Sequence, residues 1–111
     1  MNKTAEPMEP AQVVRLAEHV QYSDGSIVSR ALVQKPVGSI TLFAFDTGQG
    51  LNEHTAPYDA YVQILDGEGE LVIGGRVVNA KSGETVLMPA NIPHAVNARQ
   101  RFKMLLTMIR G

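Results

Sequence analysis

The sequence predicts an all-β fold, a jelly roll or barrel of eight or nine short strands. Three observations carry that prediction. From Ile27 onward, runs of β-branched and aromatic residues are punctuated by glycine- or proline-containing turns at spacings of about ten residues. No stretch sustains a helical apolar period over the length of an ordinary helix. Gly74-Gly75, between residues 70–73 and 76–80, is a strong signal for a two-residue β-hairpin. Evenly spaced short strands indicate a sandwich or barrel, and closure into a jelly roll removes exposed edges.

The elements follow in chain order. Residues 1 to about 12, MNKTAEPMEPAQ, are polar and interrupted by Pro7 and Pro10, which predicts a loose N-terminal arm. Residues 13–20, VVRLAEHV, fit both a short strand and a helical turn. His19, beside Glu18, reads as a solvated surface histidine. Residues 27–34 form a strand that turns at 35–38, KPVG, into a second strand over 39–46. TGQG, 47–50, is a turn signal. Residues 58–66 are a strand ending at Asp66-Gly67, and the Gly74-Gly75 hairpin comes next. Ser82-Gly83 turns into a strand over 85–88, and PANIP leads into another over 94–98. The last strand, 102–109, FKMLLTMI, is apolar throughout except at Lys103 and Thr107.

A chain of 111 residues with 44% apolar content is the size of one domain with its own core, so 1–111 reads as a single domain. Ten Lys and Arg balance eleven Asp and Glu, and nothing in that charge favours nucleic acid or an anionic membrane as a partner. No apolar run approaches the roughly 18 residues of a membrane helix, and residues 1–12 lack the apolar core of a secretory signal. The absence of cysteine rules out disulfides, thiolate nucleophiles and cysteine-based zinc sites. A cytoplasmic protein is the expectation.

The functional lead lies in two segments, 48–67 and 83–98, each holding one histidine in apolar sequence and approached through glycine or proline. A histidine buried with its ring nitrogens unpaired is costly, so two at matching places suggest rings that meet. These segments resemble the paired motifs of the cupin superfamily. Gly48, His54 and Gly67 fall in register on the first motif, and Gly83, Pro89 and His94 on the second, with the Gly74-Gly75 hairpin between them. The resemblance implies a cupin barrel, often paired into a homodimer, and it covers roughly residues 39–109.

The same resemblance shows where the chain departs from the pattern. Metal-binding cupins ligate through two histidines and a glutamate of the first motif and one histidine of the second. Here the second histidine position is Ala56 and the glutamate position is Ala60, which leaves His54 and His94 as metal ligands. Asn91 stands where the second motif has glycine, and Ala98 where it has asparagine, with Asn97 one place early.

Three readings stay open. In the first, His54 and His94 hold a divalent transition metal (Zn, Ni, Fe, Mn or Cu), and a third donor is wanted. Strand parity puts Tyr58 on the side of His54 and sends Glu53 and Asp59 to the other, with Gln63 more remote. This is the dioxygenase- or isomerase-type enzyme that the resemblance implies. In the second, the two alanines open an apolar pocket formed by His54, Ala56, Tyr58, Ala60, Met88 and His94, which binds a small organic molecule. In the third, both histidines bond to backbone carbonyls or a buried water in a degenerate site, and the role is structural or dimer-forming. Met88, Met104 and Met108 read as packing residues, Phe43 and Phe45 as core, and Arg99, Arg101 and Lys103 as a basic cluster, solvated or at the barrel mouth.

Overall fold

In a computed structural model, which describes the backbone of residues 2–5 and all of 8–110, the chain forms nine strands and one short 3-10 turn. The strands are β1 (Asn2–Ala5), β2 (Ile27–Lys35), β3 (Gly38–Phe45), β4 (Gly50–His54), β5 (Asp59–Ile73), β6 (Arg76–Lys81), β7 (Thr85–Met88), β8 (His94–Asn97) and β9 (Phe102–Ile109). One layer runs β1-β2-β3-β9-β5-β7 and the other β6-β5-β8-β4. The all-β jelly roll is therefore as the sequence predicts.

Four local readings change. Residues 2–5, read as part of a loose arm, form β1, parallel to β2 in the register Asn2↔Ile27 to Ala5↔Arg30. The ambiguous 13–20 segment holds the 3-10 turn Leu16–Glu18 and no strand. The polar stretch 50–54 forms β4, which its composition conceals. Asp66-Gly67 does not end a strand, because β5 runs unbroken for 15 residues. A register shift against β9 between Ile64 and Asp66 marks a bulge there, and Gly67, at φ 73°, supplies a left-handed backbone that other residues resist. The bulge turns β5 out of its pairing with β7 and β9 and into the pairing with β6 and β8. One strand thus joins both layers. At the hairpin, Gly74 (φ 59°) and Gly75 (φ 79°) form the predicted turn, with Ile73 opposite Arg76.

Alternation along the strands sends residues into two cores. The inner core, between the layers, takes Phe45, Ala60, Val62, Ile64, Leu71, Met88, Val96, Phe102 and Met104. Phe45 stacks on Phe43 and on Phe102, with centroids 5.7 and 4.8 Å apart, as their shared face predicts. The outer core takes Leu32, Leu42, Ala44 and Leu105, covered by Met8, Leu16, Val20 and Tyr22. β9 is buried on both faces, which is why its sequence is apolar without alternation.

The three cations of the basic cluster are each partnered. Arg99 bonds Glu70 at 2.6 Å, and Arg101 bridges Asp24 at 2.5 Å and Asp46 at 2.7 Å. Lys103 is buried under the 8–22 segment, where its Nζ donates to the Ala17 carbonyl at 2.5 Å and lies 4.9 Å from the Tyr22 ring centroid. His19 is half-buried, and its Nε2 has no hydrogen-bond partner among the described residues.

Candidate functional site

β4 and β8 pair antiparallel at the end of one layer, and their register sets His54 opposite His94 after a shift between Leu51 and His54. The approaches to both residues are tied together. Asn91 has φ 66°, so asparagine, which tolerates the left-handed region, fills the backbone role of the motif's glycine. Its N–H donates to the Ala56 carbonyl at 2.8 Å, joining the loop after β4 to the loop before β8. Gly74 N–H donates to the Pro93 carbonyl at 2.8 Å, fixing the entry to β8 against the hairpin.

The rings do meet, with centroids 4.4 Å apart and planes at 69°. Each Nδ1 points at a backbone carbonyl, that of Asn52 for His54 (3.0 Å) and that of Ile92 for His94 (3.2 Å). A carbonyl can only accept, so each Nδ1 carries the hydrogen. In the neutral rings each Nε2 then presents a lone pair, and the two Nε2 atoms face each other at 3.2 Å. Two lone pairs at that separation repel. The arrangement is stabilised only by something positive between them: a shared proton, a donor group of a ligand, or a cation.

His94 is buried, at 5% exposure, and His54 lies at the surface, so the pair links solvent to the interior. Behind it is a cavity of about 260 Å³ lined by Phe43, Leu51, Ala60, Met88, Met104 and Leu106 together with the two rings. The imidazoles are its polar groups. Four of the six residues expected in the pocket line it: His54, Ala60, Met88 and His94. Ala56 and Tyr58 do not. β4 ends at His54 and the chain does not resume strand geometry until Asp59, so the parity that aligned residues 56 and 58 with residue 54 fails across Pro57. Tyr58 packs under the Arg110 guanidinium, 5.0 Å from its ring centroid.

The other candidate donors are turned away. Asp59 Oδ1 accepts the Ala90 N–H at 2.9 Å. Gln63 alternates with the inward Val62 and Ile64 and is exposed, as is Glu53. Among the described residues, no three His, Cys, Asp or Glu side chains gather where they could hold an ion. The oxygen-containing divalent centre that the resemblance implies does not fit, since alanines occupy two of its four positions.

Sequence reasoning passed over two methionines of the site. Met104 and Met108, read as packing, do pack in or against the inner core, but they also line the cavity beside the expected Met88. Parity along β9 could have found Met104 and Met108, since both share the inward face of Phe102.

A family model described as a cupin domain matches residues 41–109. Among curated proteins, none matches the chain. Of solved structures, a conserved protein of unknown function from Streptococcus pyogenes is 38% identical, with a TM-score of 0.90 over 94% of this chain and 91% of that one. A cupin 2 conserved barrel domain protein from Leptotrichia buccalis is 46% identical, with a TM-score of 0.82 over 85% of this chain and 46% of that one. A cupin superfamily protein from Desulfitobacterium hafniense is 25% identical, with a TM-score of 0.87 over 94% and 95% of the two chains.

Proposed function

The chain belongs to the cupin-domain family, and on that premise we propose that it is a binding barrel for a small, mostly apolar organic molecule. The ligand's body occupies the cavity and its polar end lies between His54 and His94. One observation carries this reading: two Nε2 lone pairs converge at 3.2 Å at the edge of an otherwise apolar cavity. A mostly apolar pocket with a few convergent polar groups is the usual form of a small-molecule site. At about 260 Å³ it lies just below the roughly 300–1,000 Å³ typical of drug-sized ligands, which favours a compact metabolite.

The tautomers also set the kind of polar end. With both Nδ1 hydrogens committed to backbone carbonyls, the neutral pair offers only acceptors. A ligand hydroxyl, as in an alcohol or phenol, supplies the missing hydrogen. An ether or ketone of the same shape brings another lone pair and leaves the Nε2 of buried His94 unpaired, at a cost of about 1–3 kcal/mol. The test is calorimetric titration and thermal shift with matched compact phenols and their methyl ethers, on metal-free protein. Phenols should bind about tenfold or more tighter than the ethers, and His94→Ala should erase the preference. Equal affinity across the pairs, or a preference that survives in His94→Ala, would overturn the reading.

A further inference from the structure

The two imidazoles share one cavity lining with Met88, Met104 and Met108. In the strand register Ala60 lies directly opposite Met88 on one side and Met108 on the other. Residues directly opposite on neighbouring strands project from the same face, so the small methyl of Ala60 leaves a gap flanked by two sulfur-bearing side chains. Met104 lines the same cavity. Imidazole nitrogen and thioether sulfur are therefore the side-chain donor types in the cavity lining.

Softness and geometry together narrow what such a set can hold. Thioethers and imidazoles suit monovalent copper, whereas among the described residues no carboxylate gathers with the pair to suit a harder divalent ion. Two nitrogens each about 2.0–2.1 Å from one ion at a tetrahedral angle lie roughly 3.3 Å apart, against 3.2 Å between the Nε2 atoms. A linear two-nitrogen ion would need roughly 4 Å, so this spacing calls for at least a third donor. Both rings already have the outer support expected of metal ligands, an Nδ1–H bonded to a backbone carbonyl. Desolvation also favours a single charge, because the penalty for moving an ion into an apolar cavity grows steeply with its charge.

We propose that His54 Nε2, His94 Nε2 and a thioether of Met88 or Met108 form a site for monovalent copper. The inference rests on the same Nε2 pair as the ligand-binding reading, but not on any organic ligand. Its test is anaerobic titration of copper(I) against a colorimetric copper(I) chelator, with zinc(II) and nickel(II) titrated in parallel, and X-ray absorption at the copper edge. We expect one copper(I) per chain, a sulfur scatterer beside the nitrogens, and preference over both divalent ions. His54→Ala with His94→Ala should abolish binding. Met88→Leu with Met108→Leu, which conserves volume, should weaken it about tenfold or more and remove the sulfur signal. Tighter binding of zinc(II), or copper(I) bound by the wild type without sulfur, would overturn the proposal. The spectrum of the wild type decides the case if the methionine variant does not fold. Phenol selectivity is measured on metal-free protein, so either idea can fail alone.

Discussion

Alanine at position 60 largely determines what the cavity can hold. It is 3% exposed, sits between Met88 and Met108, and occupies the place where metal-binding cupins carry a carboxylate. Ala60→Glu should therefore have opposite effects with and without metal. Free of metal, the variant buries a carboxylate among thioethers and should melt lower than wild type, by about 2 kcal/mol or more. With zinc(II) or nickel(II), the new oxygen joins the two imidazoles, and calorimetry should detect tighter binding than in the wild type, with the melting temperature restored. A variant that neither melts lower nor gains zinc would mean that residue 60 does not face the histidine pair. Asn91 is the complementary case. From sequence alone it looks like a departure from the glycine of the motif, yet its φ of 66° shows the backbone requirement retained by another residue type. The identities of His54, His94 and Ala60 were legible because they are single letters in a spaced pattern. The direction of Tyr58 was not, since it depends on where a strand stops.

Among the strands, β5 and β9 hold most of the architecture. Gly69 of β5 lies against the Phe102 ring, and a Cβ built there would come within 2.7 Å of it. That ring cannot easily move, being stacked on Phe45 at 4.8 Å. Gly69→Ala should cost about 1–3 kcal/mol in urea unfolding, with little change in slope. A neutral result would mean that the Phe102–Phe45 stack yields more readily than its burial implies. Strand positions were legible wherever a core face imposed alternation or a tight turn imposed glycine, as at β3, β6, β7 and the Gly74-Gly75 turn. Asp66-Gly67 misled because a turn and a bulge use the same residues. β4 was concealed because an edge strand of sequence GLNEH has little apolar surface to declare itself. Met104 and Met108 were seen as core and not as lining, since a cavity wall and a core wall have the same composition.

The molecule as a whole is braced from outside by the 8–26 segment, which covers the outer face of β3 and β9. The brace is polar at its end. Arg101 hydrogen-bonds Asp46, and with the Gly25 and Thr47 N–H groups it holds the Asp46 carboxyl at about 2, below its ordinary 3.8. The hydrogen bonds of Arg99 and Asn97 lower Glu70 in the same direction. Both folded-state values lie below the unfolded ones, so the folded protein binds fewer protons than the unfolded chain between them. Their stabilisation is complete above the ordinary carboxylate range and is lost as pH falls toward 2. Thermal melts from pH 6 down to 2 should show this loss, with a shallower acid limb in Asp46→Asn. A variant limb that parallels the wild type would remove Asp46 from the account. At the other extreme, burial first and then the hydrogen bond to Asp66 push the Tyr22 phenol above its ordinary range, so it stays un-ionised where the unfolded chain would ionise.

Because β5 belongs to both layers without a break, the two halves of the barrel cannot rock apart as separate bodies. The cavity lining reaches the surface at His54, on the strand that ends its layer and pairs with β8. A short polar edge strand with so little buried surface is where local fraying is expected first, so hydrogen exchange should be fastest there and slowest along β5.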